Sequence, residues 1–596
     1  MNGHWIAPII VGLILTLSSR KYFAIASTSL LVIFTVSNFI PVSGQIEGLY
    51  VSEPVTPFVV DAKMMSTLAA TSAWQPGNPI KERDWAPPQV GFQSLTDPQD
   101  VIPVPQQRQS QLLGPVDATF STPVVNFEGI PFSGFVPPDT NGDVGPNHYI
   151  QMVNSKFQIF DKTGNQLTAA ADINSLWIAA NTLDNCMANN DGDPIVQYDH
   201  LADRWLMSQF VAFSDQCIAI SKTPDPVAGG WYLYDFPVPV VNDYFKFGVW
   251  PDAYYMGTNA GYPAGHAWAF DRTNMLLGNA ATFQLFTLAT DGALMLPSNL
   301  DGPAPPASAP NVFVRFVDGA EFGGVDRLEL TEFSVDFVNP INTAFTPLAD
   351  LPTAPFDRSL CSLAFAPDCI PQPGTAQKLD PIAEFIMYPL QYRNFGTHET
   401  LVVNHSIDAD GSDLAAPHWY ELRKVAGVWS IFQESTYTID NTHRWMGSVA
   451  MDKFGNMALG YSVSDAVSTF PSIKYTGRLA SDPINTMPQG EYQIFAGSGS
   501  QTIASRWGDY SSMTVDPVDD CSFWYTQEYA PASGFWQTRI AQLQFNDCAE
   551  TTIVGGTSIP IDTTALLLVG VQSISMWMIP VIAGIVIGVF VIKRRK

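Results

Sequence analysis

Between Thr119 and Cys548 the chain is written in short runs of Val, Ile, Tyr, Phe and Trp that come in pairs, and no stretch of helical period interrupts them. The pairs are HYIQMVN with KFQIFDK, WLMSQFVAF with CIAISKT, YYMGTNA with HAWAFDR, NVFVRFV with RLELTEFSV, TLVVNHSI with WYELRKV, VAMDKFG with NMALGYSV, and FWYTQEY with TRIAQLQF. β-Branched and aromatic runs bounded by Asp, Asn, Gly or Pro read as strands, and two such runs a few residues apart read as an antiparallel hairpin. The chain is therefore expected to be all-β, built of sequential antiparallel sheets. About seven units of roughly 60 residues suit a β-propeller with long loops better than a sandwich, with six blades as the alternative closure.

Weak internal repetition supports that choice. FDKTGNQL, with Asp161 and Gly164, returns as MDKFGNMAL, with Asp452 and Gly455, each read as a tight hairpin. Trp250-Pro-Asp252, Trp445-Met-Gly447 and Trp507-Gly-Asp509 each read as the opening of a unit. Strand-forming text at Ala118–Ile130 precedes the first unit, and in a ring it would complete the last blade and remove an exposed edge.

Charge narrows the partners. All 56 acidic residues lie between Gln45 and Ile592, whereas six of the 29 basic ones, Arg20, Lys21 and the last four residues, lie outside that segment. Phosphates would be repelled along the whole approach, which excludes nucleic acid. With 12% aromatic and only 14% charged positions the chain is also no acidic disordered segment, because it has the apolar surface to form a core.

The two ends point to a membrane. Tyr22–Ile40, preceded by Arg20 and Lys21 and followed by Val42 and Gly44, reads as a secretory signal across 1–44, or as a retained hydrophobic segment. Residues 45–118 are rich in Pro and Gln and read as an extended arm or linker, with Trp85 and Phe92 as its docking residues. After the propeller at 119–548 and a linker at 549–563, residues 564–592 are long and apolar enough for a transmembrane helix. The basic tail 593–596 then stays cytoplasmic and places the propeller outside the cell. The stretch IPIDTTALLLVGVQSISMWMIP resembles the C-terminal anchors of archaeal surface proteins. Six cysteines fit an oxidising compartment, and pairing of sequence neighbours gives Cys186–Cys217, Cys361–Cys369 and Cys521–Cys548.

The segments PPDTNGDVGPNHYIQ, GVWPDAYYMGTN, NFGTHETLVVNHSID, HRWMGSVAMDKFGNMALGYSVS and SRWGDYSSMTVDPVDDCSFWYTQEY make the core similar to a group of uncharacterised secreted or surface β-propeller proteins of bacteria and archaea. The group is itself distantly sialidase-like, and the resemblance implies the fold without implying a reaction. The Asp-box pattern SxDxGxxW and a three-arginine carboxylate clamp are both missing from the sequence.

Three constellations carry chemistry. Asp139, Asn141 and Asp143 in DTNGDVGPN have the alternation of a calcium loop, although Ile150 stands where a bidentate Glu would close it; the same text reads equally as an Asx-rich turn. Asp408, Asp410 and Asp413, and then Asp191 with Asp193, are weaker versions. Loops and strand ends of all blades converge around a propeller axis, so Trp250, Asp252, His398, Glu399, Arg444, Trp445, Arg506, Trp507 and Asp509 become one ligand site if they occupy equivalent positions. Carboxylates, cations and Trp faces suit a sugar; blade-to-blade packing is the alternative role. No HExxH, HxH, GxSxG, P-loop or dinucleotide pattern is present. The expected function is a membrane-anchored, extracellular binding or cell-envelope module for glycans or surface proteins. The alternative is a glycan-cleaving hydrolase or lyase acting at the central face, with calcium as the one candidate cofactor.

Overall fold

The computed structural model describes residues 48–61, 65, 68, 70–71, 73–82, 120, 122–259, 265–288, 294–363 and 368–549. No helix among the described residues is long and apolar enough to cross a membrane. The segments expected at 1–44 and 564–592, and the docking residues Trp85 and Phe92, lie outside the described residues.

All seven predicted strand pairs form, and each belongs to a four-stranded antiparallel meander. Meander 1 is Asn141–Val144, His148–Val153, Lys156–Asp161 and Ala171–Asp172. Meander 2 is Gly192–Asp199, Arg204–Val211, Asp215–Ser221 and Trp231–Pro237. Meander 3 is Asp243–Val249, Tyr254–Asn259, Gly265–Phe270 and Phe283–Thr287. Meander 4 is Leu296–Asp301, Asn311–Val317, Arg327–Ser334 and Ala344–Pro352. Meander 5 is Ile386–Asn394, Glu399–Asp408, Ala415–Val425 and Val428–Thr436. Meander 6 is His443–Met451, Met457–Ser464, Ser472–Arg478 and Tyr492–Phe495. Meander 7 is Ser512–Val515, Phe523–Tyr529 and Gln537–Leu543, with a fourth strand supplied from far upstream by Val125–Pro131.

The first strand of each meander touches the first strand of the next, and that of meander 7 touches that of meander 1. The sheets therefore form a closed ring, a β-propeller. Between meanders 4 and 5 the contact is a parallel ladder, Ser298–Asp301 on Leu390–Arg393. Elsewhere the open edges of these inner strands are satisfied by side chains. Asn141 Oδ1 and Asp143 Oδ2 accept from the amides of Val196 and Tyr198 at 2.6 and 2.7 Å, and Asn299 Oδ1 accepts from Val249 N at 3.1 Å. Ser448 Oγ accepts from Met513 N at 2.9 Å. A buried amide without an acceptor costs about 1–3 kcal/mol, which explains why inner strands carry buried Asn, Asp, Gln and Ser.

The strand Val125–Pro131 closes the ring as the sequence predicts, and Gln151 of meander 1 locks it by accepting from Ile130 N at 2.6 Å while donating to Thr526 and Thr538 of meander 7. The arm lies against the ring. Leu49–Val51 adds a fifth strand to meander 3, Phe58–Val60 adds one to meander 2, and Lys81–Glu82 pairs in parallel with Phe135–Val136. Trp74 packs edge-on against Phe132 at 5.0 Å, the aromatic anchor that the sequence did not single out.

The three disulfides pair as expected: Cys186–Cys217, Cys361–Cys369 and Cys521–Cys548, with Cα separations of 5.7, 5.1 and 5.8 Å. The repeat Asp161–Asn165 and Asp452–Asn456 is a turn in both places, its Asp accepting from the backbone two and four residues on. It connects the third and fourth strands of meander 1 but the first and second of meander 6, so the repetition is of the turn and not of its place in the unit.

Candidate functional site

Inner strands that all run the same way about an axis bring the residues at their leading ends to one face. Here those residues meet in a cavity of ≈ 220 Å³ lined by Asp139, Asp193, Asp243, Asp380, Glu384, Asp509 and Arg506, with Phe210, Phe213, Tyr244 and Phe385 among the apolar walls and Glu82 of the arm alongside. The backbone is specialised at the same place. Asp139, Asp193, Tyr244, Ile382, Met446 and Asp509 have φ of 51°, 48°, 50°, 47°, 55° and 59°, a left-handed residue leading six of the seven meanders. Ladder shifts at Gly192/Ile195, Asp243/Lys246 and Trp445/Ser448 mark bulges in three of these strands. Left-handed non-glycine residues cost of order 1–3 kcal/mol each, and bulges re-aim side chains, so the ring maintains strained leading ends that turn polar groups toward the axis.

The floor is filled across the axis. Gln197 Nε2 of meander 2 donates to Tyr388 Oη of meander 5 at 2.8 Å and to Asn299 Oδ1 of meander 4 at 3.0 Å. Lys246 Nζ lies 3.5 and 3.9 Å from the ring centroids of Tyr244 and Tyr510, and donates to the carbonyls of Tyr244 and Phe245 at 3.3 and 3.2 Å. Burial pulls the Lys246 ammonium down to about 8 against the opposing pull of Asp193, Asp139 and Asp509.

The carboxyls sit in unlike environments. Asp139 is 1% exposed and its Oδ1 has no hydrogen-bond partner among the described residues; burial first, then the neighbouring Asp509 and Asp193, push its pKa well above the ordinary carboxyl range. Burial likewise raises Asp243, Asp380 and Glu384, with Asp193 adding to the first and Glu384 to the second. Asp509 instead forms an ion pair with Arg506, and its carbonyl accepts from Tyr244 Oη at 2.6 Å. Burial works against the Arg506 charge, and Asp509 and Asp380 outweigh it. A carboxyl whose pKa burial raises, beside one paired to a cation, is the arrangement from which acid and base roles are drawn.

The nine residues singled out in the sequence separate into two ends of the ring. Arg506 and Asp509 line the cavity, and Trp507 is buried behind them, donating to Ser462 Oγ at 3.0 Å and packed on Trp445 at 6.1 Å. Arg444 belongs to the same end but is spent on Glu491 and Asp440 at 2.8 and 3.0 Å. Trp250 and Asp252 follow their inner strand instead of leading it, and seven residues of strand put them roughly 20 Å away. Trp250 is buried there, donating to Ala309 O at 2.9 Å, while Asp252 accepts from Tyr255 Oη at 3.3 Å. His398 and Glu399 also follow theirs; His398 stacks on Phe395 at 5.0 Å and Glu399 accepts from Tyr392 Oη at 2.8 Å. The shared Trp-x-x text masks this difference because the match ignores the strand that intervenes. A second cavity, lined by Arg393, Phe395, Lys453 and Asp520, also draws on residues that follow inner strands.

The DTNGD segment is divided in the same way. Asn141 Oδ1 and both Asp143 oxygens are taken by amides, those of Val196, Tyr198 and Val144, so a cation there would have to displace inter-strand bonds; Asp139 alone faces the cavity. Asp408 accepts from the amides of Asp410, Gly411 and Asp413, an Asx-type turn, and Asp413 accepts from Cys361 N at 2.7 Å. Among the described residues no three His, Cys, Asp or Glu side chains are arranged to hold a metal ion. The cavity carboxyls that sequence reasoning missed are Asp243, Asp380 and Glu384, and Asp193 was read only as part of a calcium-like turn. One signal was present: the same Gly-Asp dipeptide opens one inner strand at Gly192-Asp193 and stands just ahead of another at Gly508-Asp509.

No family model matches the chain, and no curated protein does. Among solved structures it is similar to the WD40 domain of SCAP from fission yeast, at 6% identity over 67% of this chain and 82% of that one, with a TM-score of 0.31. It is also similar to a protein of unknown function from Dyadobacter fermentans, at 9% identity over 71% and 98%, TM-score 0.31. A GH43 β-1,3-galactosidase overlaps at 10% identity over 72% and 95%, TM-score 0.25. Overlaps this weak carry no inference about activity.

Proposed function

We propose that the seven meanders are the seven blades of a cell-surface propeller that binds a glycan in the cavity at the leading ends of its inner strands. The observation that carries this reading is the cavity itself: carboxyl acceptors crowd its wall beside aromatic faces, with Phe213 39% exposed. Carboxyls accept from sugar hydroxyls and an aromatic face takes the apolar side of a pyranose. At ≈ 220 Å³ the cavity is smaller than the roughly 300–1,000 Å³ of clefts that enclose drug-sized ligands, which suits one sugar unit of a longer chain. Export and a C-terminal anchor belong to the same proposal, on the strength of residues 1–44 and 564–596. Protease added outside intact cells then removes the propeller, and full protection overturns its display.

Binding is tested by offering the purified full chain a panel of envelope polysaccharides and measuring both retention and released products. Retention that Asp509→Asn weakens and Asp252→Asn leaves unchanged supports the cavity; equal loss from both variants overturns its placement. One feature favours a second reading, cleavage of the glycan: burial raises the pKa of Asp139 beside the Arg506-paired Asp509, the unlike pair that a general acid and its partner require. Product release abolished by either Asp139→Asn or Asp509→Asn decides for the enzyme.

A further inference from the structure

We propose that the cavity selects a ligand carrying a protonated amine, so that on the glycan reading, on which this inference rests, the sugar is an amino sugar with a free ammonium group. Among the described residues two buried carboxyl oxygens lack partners at this wall, Oδ1 of Asp139, 1% exposed, and Oδ1 of Asp509, 5% exposed. Both are acceptors, and they approach the cavity from opposite sides of the join between meanders 7 and 1. An ammonium presents three donors from one atom, whereas a hydroxyl presents one, so one amine carries a donor for each of the two oxygens.

Charge leads to the same class. Seven acidic side chains, Glu82 of the arm included, line the wall against Arg506, with Lys246 close by. Burial disfavours the ionised form of these carboxyls, a neutral sugar does nothing to offset that and an anionic sugar worsens it, whereas an ammonium favours the carboxylate through charge-assisted hydrogen bonds, which are roughly twice as strong as neutral ones. An aromatic face such as that of Phe213 adds attraction for a cation. A bare metal ion fits less well, because among the described residues no three acidic, His or Cys groups are arranged to coordinate one.

The experiment is isothermal titration calorimetry on the purified full chain with four probes: chitotriose bearing free amines, its fully N-acetylated counterpart, maltotriose, and spermidine as a sugar-free amine. The expected result is binding of the free-amine trisaccharide about tenfold or more tighter than its N-acetylated form, the effect of one charge-assisted bond. Asp139→Asn, a residue tolerated at a left-handed φ, should reduce that preference at least severalfold. The comparison between the two trisaccharides uses unmodified protein and stands even if the variant misfolds. Equal or tighter binding of the N-acetylated form or of maltotriose overturns the amine and leaves the glycan reading intact. Spermidine binding with no saccharide binding keeps the amine and removes the glycan. Silence from all four probes overturns the amine.

Discussion

Asp199 and Asp139 are both buried carboxyls, yet they have opposite consequences for stability. Asp199 receives Arg272 through two bonds of 2.7 and 3.0 Å and Tyr254 Oη at 2.9 Å, clamping the end of one inner strand to the helix Arg272–Leu277 of the next meander. Breaking a buried pair leaves the surviving charge without compensation, so Asp199→Ala should lower unfolding free energy by about 3–5 kcal/mol in urea melts, and a loss under about 1 kcal/mol would contradict the clamp. Asp139 has no such partner among the described residues, and its raised pKa means that folding costs free energy wherever the unfolded carboxyl would be ionised. Asp139→Asn should therefore melt higher than the parent at pH 8, with the gap closing towards pH 4; a variant that melts lower at pH 8 would show that this carboxylate holds the fold. A stabilising loss of a polar side chain is the signature of a residue kept for binding or reaction. In the sequence Asp139 was legible as a candidate only inside a calcium-like spacing, because text shows alternation along a strand but not which neighbouring amides take up Asn141 and Asp143.

At the scale of elements, the paired strands were legible because period and turn residues are local, whereas strands that add to an edge were not. Leu49–Val51 and Phe58–Val60 are three residues each, and their pairing with Phe283–Thr287 and Trp231–Pro237 is decided by which edges the ring leaves open. The closing strand Val125–Pro131 was legible from its text, but its tightness was not. At Gly129 a Cβ would collide with the Gln151 amide and the Thr538 hydroxyl, the same groups that lock meander 1 to meander 7. Gly129→Ala is expected to cost about 1–3 kcal/mol, read as a lowered Tm, and an unchanged Tm would mean that the lock can yield. Cys186–Cys217 ties the short helix Asn185–Ala188 to a strand of meander 2 across a separation of 31 residues. Replacing both with Ser should remove about 2–4 kcal/mol, and stability indistinguishable from the parent would argue against the bridge.

The whole molecule should be most stable in mild acid. Burial raises the pKa of Asp143 to about 8 and of Asp452 to about 7, and it also raises Asp243, Asp380, Glu384 and Glu528. A carboxyl whose folded pKa exceeds its unfolded value of 3.8 binds more protons when folded, so its contribution favours the fold at low pH and is lost as pH rises from about 4 through the folded value. Two groups oppose this: Glu491, lowered by Arg444 and Lys474 against burial, and Asp465, lowered to about 2 by its hydrogen bonds against burial, lose stability as pH falls below about 4, and His266, His405 and His443, whose pKa burial lowers, lose theirs as pH falls below about 6.5. Thermal melts should peak near pH 5–6, where the acidic group still favours the fold and the buried histidines are still neutral, and decline towards pH 8; a Tm that climbs steadily from pH 5 to pH 8 would overturn the balance. The sequence by itself determined the all-β class, the seven strand pairs, the closing strand and the cysteine pairing, because alternation, turn residues and short-range spacing act along the chain. Only the tertiary structure decided which end of each inner strand faces the cavity. It separated Trp250, Asp252, His398 and Glu399 from Arg506 and Asp509, and brought Asp193, Asp243, Asp380 and Glu384 to Asp139. The physical reason is that a site on a ring axis is assembled from one position in each of many units, and the sense of each inner strand about that axis is set by ring closure, which no local run of residues encodes.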